Sequence, residues 1–347
     1  MVNCASKFPS VGSILRNCDG ALRRAWHPLC RSHDVDDQPT SFRLLGVSYV
    51  AYRTRSGVHV FEDRCPHRFA PLSAGHCEGD TLQCGYHGWR FDDTGRCVEI
   101  PALGDGAVVP SRATLRPPAG LFESHGMVFI APSDPLTPRP VVEAANDPKF
   151  QRGDLPILET RGSVGLLADN FLDVAHFPFV HAATFGTDEA RRVPHFEVVR
   201  DGYTFRASFE HSFLNREDPG VAQGVRPLLQ RRRLTYRYTA PFHLELEIEF
   251  LDTGGINVIG FFLTPLDDDH VRVYSSLWRN DLDGSEEKMA DAIKFEVAVV
   301  EEDFAVQSRY ERLELPLDVT AELHTRADRV TLELRRVLGD LVVAARG

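Results

Sequence analysis

The chain has 347 residues, a length that allows two domains and a sizeable hydrophobic core. Its hydrophobic content of 43% and charged content of 26% are those of a globular protein. A formal net charge of −11 argues against nucleic-acid binding, which needs a basic face, and no apolar run reaches the roughly 18 residues of a membrane span. Seven irregularly spaced cysteines and an N-terminus without a secretory pattern predict a cytoplasmic protein.

An N-terminal arm precedes a region whose residues favour β-structure. Runs of β-branched and aromatic residues at 42–53 and 58–61, with a predicted hairpin at 121–130, indicate a small antiparallel β domain. Several prolines between residues 131 and 140 predict a linker. We therefore expect one domain over residues 1–132 and a second over residues 133–347.

The second half of the chain combines helical and extended patterns. A helix is predicted at 164–178, strands at 205–213, 233–239, 243–250, 256–264 and 271–278, and two closing helices at 284–313 and 320–346. This order predicts an α+β fold, in which the small β domain precedes a larger α+β domain with an antiparallel sheet flanked by helices. The triplet Arg231-Arg232-Arg233 is most simply a solvated strand edge, with docking of an acidic electron donor as the alternative.

Two pairs of Cys and His stand on short predicted loops of the first domain. The first pair lies in Cys65-Pro66-His67, and the second lies in Cys84-Gly85-Tyr86-His87. Two thiolates with two imidazoles suit either zinc or a Rieske [2Fe–2S] centre, in which two His replace two Cys on one iron. Zinc sites more often have wider spacings, so zinc is the alternative and the pattern favours a Rieske cluster. Its predicted ligands are Cys65, His67, Cys84 and His87.

A second motif runs from Asn170 to His181 and includes Asp173, His176 and Pro178. Asn170, Asp173 and His176 are spaced by three and would share one helical face. His181 is five residues beyond His176, so the two imidazoles can meet only if the helix breaks, and Pro178 permits such a break. Two imidazoles with one carboxylate form a facial triad that holds Fe(II) and leaves coordination positions open.

The two motifs together resemble those of the Rieske non-heme iron oxygenases, which carry a Rieske cluster and a mononuclear iron in this order along one chain. The resemblance covers nearly all of the sequence. It implies that His176 and His181 bind the mononuclear iron and that a late acidic segment, Glu301-Glu302-Asp303, supplies the third ligand. Asp303 matches the ligand position of the family pattern, and Glu302 is the alternative.

The resemblance also implies a route for electrons between subunits. In this family an Asp three residues before the first iron-binding His bridges to a Rieske His of a neighbouring subunit. The corresponding route here runs from His87 through Asp173 to His176, and it implies a homo-oligomer, which we expect to be a trimer. Asn170 resembles a residue that lies near the iron without binding it, and we group it with Asp173 as a catalytic residue.

Within the family, the chain looks most similar to the oxygenases with only α subunits, such as the vanillate, dicamba and caffeine demethylases. This similarity implies a terminal oxygenase that receives electrons from NAD(P)H through a separate flavin and [2Fe–2S] reductase, with or without a ferredoxin. We expect O2-dependent demethylation or hydroxylation of a small aromatic, heterocyclic or alkaloid-like substrate. Arene cis-dihydroxylation is the alternative, and a non-catalytic Rieske electron carrier is the alternative from another class. Position suggests five pocket residues, each equally compatible with a core role: Leu166, Phe185, Asn257, Ile259 and Phe261.

Overall fold

The computed structural model describes residues 14–104, 106–188, 191–216 and 218–347. Most of the expected N-terminal arm, including Cys4, lies outside these residues. The strands are β1 (Ile14–Leu15), β2 (His27–Arg31), β3 (Thr40–Leu44), β4 (Val47–Thr54), β5 (Gly57–Glu62), β6 (His76–Glu78), β7 (Thr81–Gln83), β8 (Arg90–Phe91), β9 (Cys97–Glu99), β10 (Gly120–Ser124), β11 (Met127–Ala131), β12 (Gln151–Asp154), β13 (Leu158–Arg161), β14 (Val198–Asp201), β15 (Thr204–Leu214), β16 (Leu229–Thr239), β17 (His243–Phe250), β18 (Ile256–Pro265), β19 (His270–Arg279) and β20 (Leu315–Pro316). The helices are α1 (Val164–Leu172), α2 (Phe177–Val180), α3 (Pro219–Ala222), α4 (Glu286–Gln307) and α5 (Arg329–Arg346).

Two small antiparallel sheets carry the loops of the first motif. Strands β3, β4 and β5 form one sheet, and β6, β7, β8 and β9 form the other. Apolar side chains such as Tyr52, Phe61 and Phe91 pack into one core with Cys65 and Cys84. The two sulfur atoms are therefore anchored inside the hydrophobic core of this region.

A third small sheet connects the two halves of the molecule. It consists of β10, β11 and β2, and the pairing of β10 with β11 confirms the predicted hairpin. Trp26 and Phe129 from this region share a buried cluster with Phe262 and Trp278 of the later strands. This sheet therefore packs directly against the large sheet of the second half.

The large sheet has eight antiparallel strands in the order β12-β19-β18-β17-β16-β15-β14, with β13 also paired to β19. All five strands predicted in this half occur in it, with shifted ends in four of them. Helix α1 contacts β17 and β18 on one side and α4 and α5 on the other. The predicted α+β fold is thus confirmed.

The prediction of a single helix over residues 164–178 is wrong in its second half. Helix α1 ends at Leu172, and Asp173 has an extended backbone with φ −79° and ψ 131°. The N–H of Asp173 donates to the carbonyls of Asp169 and Asn170, which closes the last turn. Pro178 does not make the break, because it is the second residue of the new helix α2, where a missing N–H has little cost.

The two closing helices are shorter than the sequence pattern indicates. Helix α4 begins after Ser285, whose side chain accepts a hydrogen bond from the N–H of Lys288, and it ends at Gln307 rather than at residue 313. Helix α5 begins at Arg329, so the segment expected to be helical from residue 320 consists of turns, bends and irregular backbone. No helix in the described parts of the chain is long and apolar enough to cross a membrane.

The basic triplet is not at a sheet edge, so that prediction is wrong. Strand β16 lies between β15 and β17, near the middle of the large sheet. Arg231 pairs with Asp252, and Arg233 pairs with Glu249, on the outer face. Arg232 projects to the opposite face and is only 5% exposed, because successive side chains of a strand alternate between faces.

Candidate metal centres

The two loops of the first motif share one backbone pattern. The N–H of Cys65 donates to the carbonyl of Ala70, and the carbonyl of Cys65 accepts from the N–H of Phe69. Cys84 makes the same two bonds, with Trp89 and Gly88. The residue four positions after each cysteine has positive φ, 60° at Phe69 and 72° at Gly88. Two equivalent loops therefore face each other, each with a cysteine at its base.

The four predicted cluster ligands separate into a buried pair and an exposed pair. Cys65 and Cys84 are 1% and 2% exposed, and they form no disulfide. His67 and His87 are exposed at the loop tips, with ring centroids 4.5 Å apart. Burial raises the pKa of Cys65 to about 11, whereas backbone hydrogen bonds to its sulfur from His67 and Arg68 act in the opposite direction. Such donors stabilise thiolates that bind an iron–sulfur cluster.

Gly85 meets a steric requirement at the back of the second cysteine loop. A Cβ at this position would lie 2.4 Å from the carbonyl oxygen of Ala74. The reverse contact is equally tight, since a Cβ at Gly75 would lie 2.0 Å from the carbonyl oxygen of Gln83. The segment around Gly75 therefore backs directly onto the second cluster loop, and only glycines allow that approach.

The second motif and α4 bring three ligand atoms together. His176 Nε2 and His181 Nε2 are 2.9 Å apart, and Asp303 Oδ1 lies 3.5 Å and 3.3 Å from them. Ligands about 2.1 Å from one metal ion and at right angles to one another are separated by about 3 Å. The extended backbone at Asp173 and the short helix α2 produce this geometry, which an unbroken helix would prevent.

The hydrogen bond behind His181 directs a lone pair of that ring toward the other two ligand atoms. His181 Nδ1 lies 2.8 Å from Glu302 Oε2, and a carboxylate can only accept, so the proton of a neutral His181 is on Nδ1. Its Nε2 then offers a lone pair toward His176 and Asp303. Converging lone pairs repel unless a cation lies between them, so these residues fit a metal ion.

The pKa shifts of His176 and Asp303 both favour the charged forms of these side chains. Burial opposes the charged form of His176, yet the carboxylates of Asp173 and Asp303, each 3.5 Å from a ring nitrogen, raise its pKa to about 9. Burial likewise opposes ionisation of Asp303, but the neighbouring His176 and His181 lower its pKa. The cluster of side chains therefore attracts positive charge, as a proton or as a metal ion.

Three further side chains hold the triad in place. Asn170 Nδ2 donates to Asp303 Oδ1 at 2.7 Å, so this predicted neighbour of the iron contacts the predicted ligand Asp303. Thr184 donates to Glu302 Oε2, which fixes the carboxylate behind His181. Glu302 thus faces away from the point where His176, His181 and Asp303 converge, a role that sequence spacing alone did not reveal. Glu302 and His181 lie far apart in the sequence, so no helical spacing could have predicted their contact.

Asp173 lies beside the triad and reaches the surface. Its Oδ2 is 3.5 Å from His176 Nδ1, and its Oδ1 accepts from the N–H of Ala175. The side chain is 30% exposed, in contrast to the 5% of Asp303. Asp173 is therefore accessible from outside while touching the back of a predicted iron ligand.

A cavity of about 70 Å³ adjoins the triad and is bounded by the sheet, α1 and α4. Three of the five suggested pocket residues, Phe185, Ile259 and Phe261, line it. Leu166 instead lines a polar pocket on the other side of α1, and Asn257 lies behind the wall, where its Nδ2 is 3.5 Å from Glu296 Oε1.

Two charged side chains besides Asp303 line the cavity, and neither was predicted from the sequence to belong to the site. They are Arg232 from β16 and Glu296 from α4. The signal for Arg232 was available in the alternation of β16, in which Leu234 and Tyr236 share its buried face.

Comparison with known proteins assigns the family. Residues 25–112 match the Rieske [2Fe–2S] domain, and residues 161–344 match the C-terminal domain of vanillate O-demethylase oxygenases. The chain belongs to the Rieske non-heme iron oxygenases. This Rieske oxygenase therefore uses a Rieske [2Fe–2S] cluster and a mononuclear iron as cofactors. The two matched segments lie on either side of the boundary predicted at residues 132 and 133, which stays a prediction.

Relatives of this Rieske oxygenase include demethylases and monooxygenase subunits. Methylxanthine N1-demethylase NdmA of Pseudomonas putida is 27% identical over 329 residues, which are 92% of this chain and 89% of NdmA. The putative toluene-4-sulfonate monooxygenase system iron-sulfur subunit TsaM2 of Comamonas testosteroni is 32% identical over 240 residues, 67% of this chain and 68% of TsaM2. The solved structure of the Pseudomonas putida CBB5 NdmA QL mutant with caffeine has a TM-score of 0.81 at 25% identity and covers 95% of this chain and 93% of that chain.

Proposed function

We propose that this protein is the terminal oxygenase of a multi-component system that demethylates or hydroxylates a small aromatic or heterocyclic compound. The observation that carries the proposal is the convergence of His176, His181 and Asp303 at the wall of a largely apolar cavity. A protein that only carries electrons has no use for such a site. The names of the relatives, a methylxanthine demethylase and a subunit of a monooxygenase system, support the same reaction class.

Each predicted ligand receives a role in this proposal. Cys65 and Cys84 would hold one iron of the cluster, and His67 and His87 would hold the other. His176, His181 and Asp303 would hold the mononuclear iron, with Glu302 as the orienting carboxylate rather than the third ligand. When bound, the cluster supplies single electrons and the mononuclear iron supplies O2 activation beside the substrate.

The chain's own side chains prepare the reaction site. Asn170 fixes the Asp303 carboxylate, and Glu302 fixes the ring of His181, so the ligand atoms keep their positions during turnover. Phe185, Ile259 and Phe261 keep water away from the substrate. The substrate carbon to be oxidised would face the triad from this cavity.

Electrons would reach the site through Asp173 from a neighbouring subunit. Asp173 is partly exposed and lies beside His176, so an exposed cluster ligand such as His87 of a neighbouring subunit could approach it from outside. We propose a homotrimer in which each cluster serves the iron of its neighbour. NAD(P)H would act indirectly, through a separate flavin reductase with or without a ferredoxin.

Reconstitution with a surrogate flavin reductase and NADH tests the proposed function. Methoxylated aromatic and N-methyl heterocyclic compounds are supplied, and O2 uptake, formaldehyde and the demethylated product are measured together. The proposal predicts substrate-dependent O2 uptake with matching product for at least one compound. A fully iron-loaded protein that cycles its cluster between redox states without forming any oxidised product would be an electron carrier, and the proposal would be wrong.

A further inference from the structure

Arg232 is an unusual lining residue of the cavity next to the triad. It lies on the central strand β16 and is only 5% exposed, whereas its neighbours Arg231 and Arg233 point to the outer face. Arg side chains are rarely buried so far unless they are paired. A group that balances the charge of Arg232 is therefore expected nearby.

The guanidinium of Arg232 has aromatic neighbours but, among the described residues, no acidic side chain within ion-pair distance. It lies 4.8 Å from the ring centroid of Phe185 and 4.6 Å from that of Phe213. Within the described parts of the chain, no side-chain hydrogen bond or ion pair involves it, and its Nε is a buried atom without a partner. Stacking on aromatic faces orients the guanidinium and leaves its N–H groups available at the cavity.

Glu296 attracts the guanidinium of Arg232 electrostatically, but it does not form a close pair with it. Glu296 lines the same cavity from α4 but forms no ion pair of 4 Å or less with Arg232, and Asn257 lies 3.5 Å from its Oε1. His211, opposite Arg232 on β15, stays neutral because burial and the nearby guanidinium lower its pKa to about 3. Burial lowers the pKa of Arg232 only to about 10, so it remains charged at neutral pH.

We propose that Arg232 binds an anionic group of the substrate, a carboxylate or a sulfonate, inside the cavity beside His176, His181 and Asp303. This inference rests on the proposed function and names the substrate class of the same site. The guanidinium fork can donate two parallel hydrogen bonds to such an oxyanion, and little water competes in an apolar cavity. The anion would fix the substrate at one end of the cavity, with its reacting end toward the triad.

Binding to the iron-loaded protein without O2 tests the inference directly. Isothermal titration calorimetry would compare acids with neutral amides of the same shape: methoxybenzoates against methoxybenzamides, arylsulfonates against arylsulfonamides, and heterocyclic carboxylates against their amides. We expect at least one acid to bind, and to bind at least about 30-fold more tightly than its amide, the factor that loss of a buried charge partner produces. Stronger binding of carboxylates or of sulfonates then distinguishes the two anions. If no acid binds, or if amides bind as tightly as acids, the inference is wrong.

Variants of the triplet show whether Arg232 is the group responsible. Arg232→Gln should remove the preference for acids, and Arg232→Lys should retain part of it because charge remains without the fork. Arg233→Gln is the matched control, since the same change on the outer face should leave the preference intact. An acid preference that survives in Arg232→Gln would contradict the inference even if the wild-type protein binds acids.

The experiment separates this inference from the proposed function. Acid binding through Arg232 in a protein that forms no oxidised product would leave the anion site correct and the oxygenase proposal wrong. Turnover of neutral compounds with no preference for acids would leave the oxygenase proposal correct and the anion site wrong. In an active enzyme, Arg232→Gln should raise KM for the acid with a smaller change in kcat, as expected for a group that positions substrate.

Discussion

Replacement of Glu302 by Ala tests the division of roles between the two adjacent carboxylates. Glu302 Oε2 lies 2.8 Å from His181 Nδ1 and accepts its N–H, and the Glu302 side chain is 21% exposed. A hydrogen bond to a charged group contributes about 1.5–3 kcal/mol, which corresponds to about 10- to 150-fold in a binding constant. Loss of such an orienting partner weakens metal binding by about 10- to 100-fold. We therefore expect Glu302→Ala to bind Fe(II) about 10- to 100-fold more weakly, without abolishing the site.

The assay is Fe(II) competition against a calibrated chelator under anaerobic conditions, with the cluster spectrum as an internal check of folding. Glu301→Ala is the matched control, because Glu301 is the exposed neighbour on the same helix and should leave the affinity unchanged. Unchanged Fe(II) affinity in Glu302→Ala would refute the orienting role. Complete loss of the mononuclear iron in Glu302→Ala, with that iron retained in Asp303→Ala, would make Glu302 the third ligand instead.

Three other predictions address the electron route, the cluster loop and the buried cation. Asp173→Asn should keep both metals and slow single-turnover electron transfer strongly; wild-type rates would contradict the route. Gly85→Ala should destabilise the cluster region by about 1–3 kcal/mol, measured by thermal unfolding and cluster retention, because its Cβ would lie 2.4 Å from the Ala74 carbonyl oxygen; an unchanged midpoint would contradict the close approach. Arg232→Met should change the free energy of unfolding by less than about 1 kcal/mol, since lost aromatic contacts offset the removal of an unpaired buried charge. A loss above about 3 kcal/mol would indicate a structural role for Arg232.

The parts that the sequence predicted well depend on local patterns. Strand β17 alternates regularly from His243 to Phe250, so its bounds agree with those of the structure. The cluster residues lie within short segments, so their spacing carries chemical information without knowledge of the fold. The iron motif also contains both imidazoles within one short segment.

The parts that it missed depend on contacts between distant segments. Glu302 and Asp303 are adjacent, and about 100° of helix rotation separates their directions, but which of them faces the imidazoles depends on how α4 docks. The helix was expected to break at Pro178, between His176 and His181, although the capping bonds at Asp173 end α1 earlier. Arg232 looked like surface charge because the position of β16 inside the sheet depends on its pairing with β15 and β17.

The central claim is that one chain carries a Rieske cluster and a separate mononuclear iron held by His176, His181 and Asp303. The most direct test is to purify wild-type protein and Asp303→Ala anaerobically, to count iron per chain, and to record the EPR spectrum of each reduced sample. The account predicts about three irons per wild-type chain, about two in the variant, and the same Rieske signal in both. Equal iron content in the two proteins, or zinc in place of a reducible cluster, would contradict it.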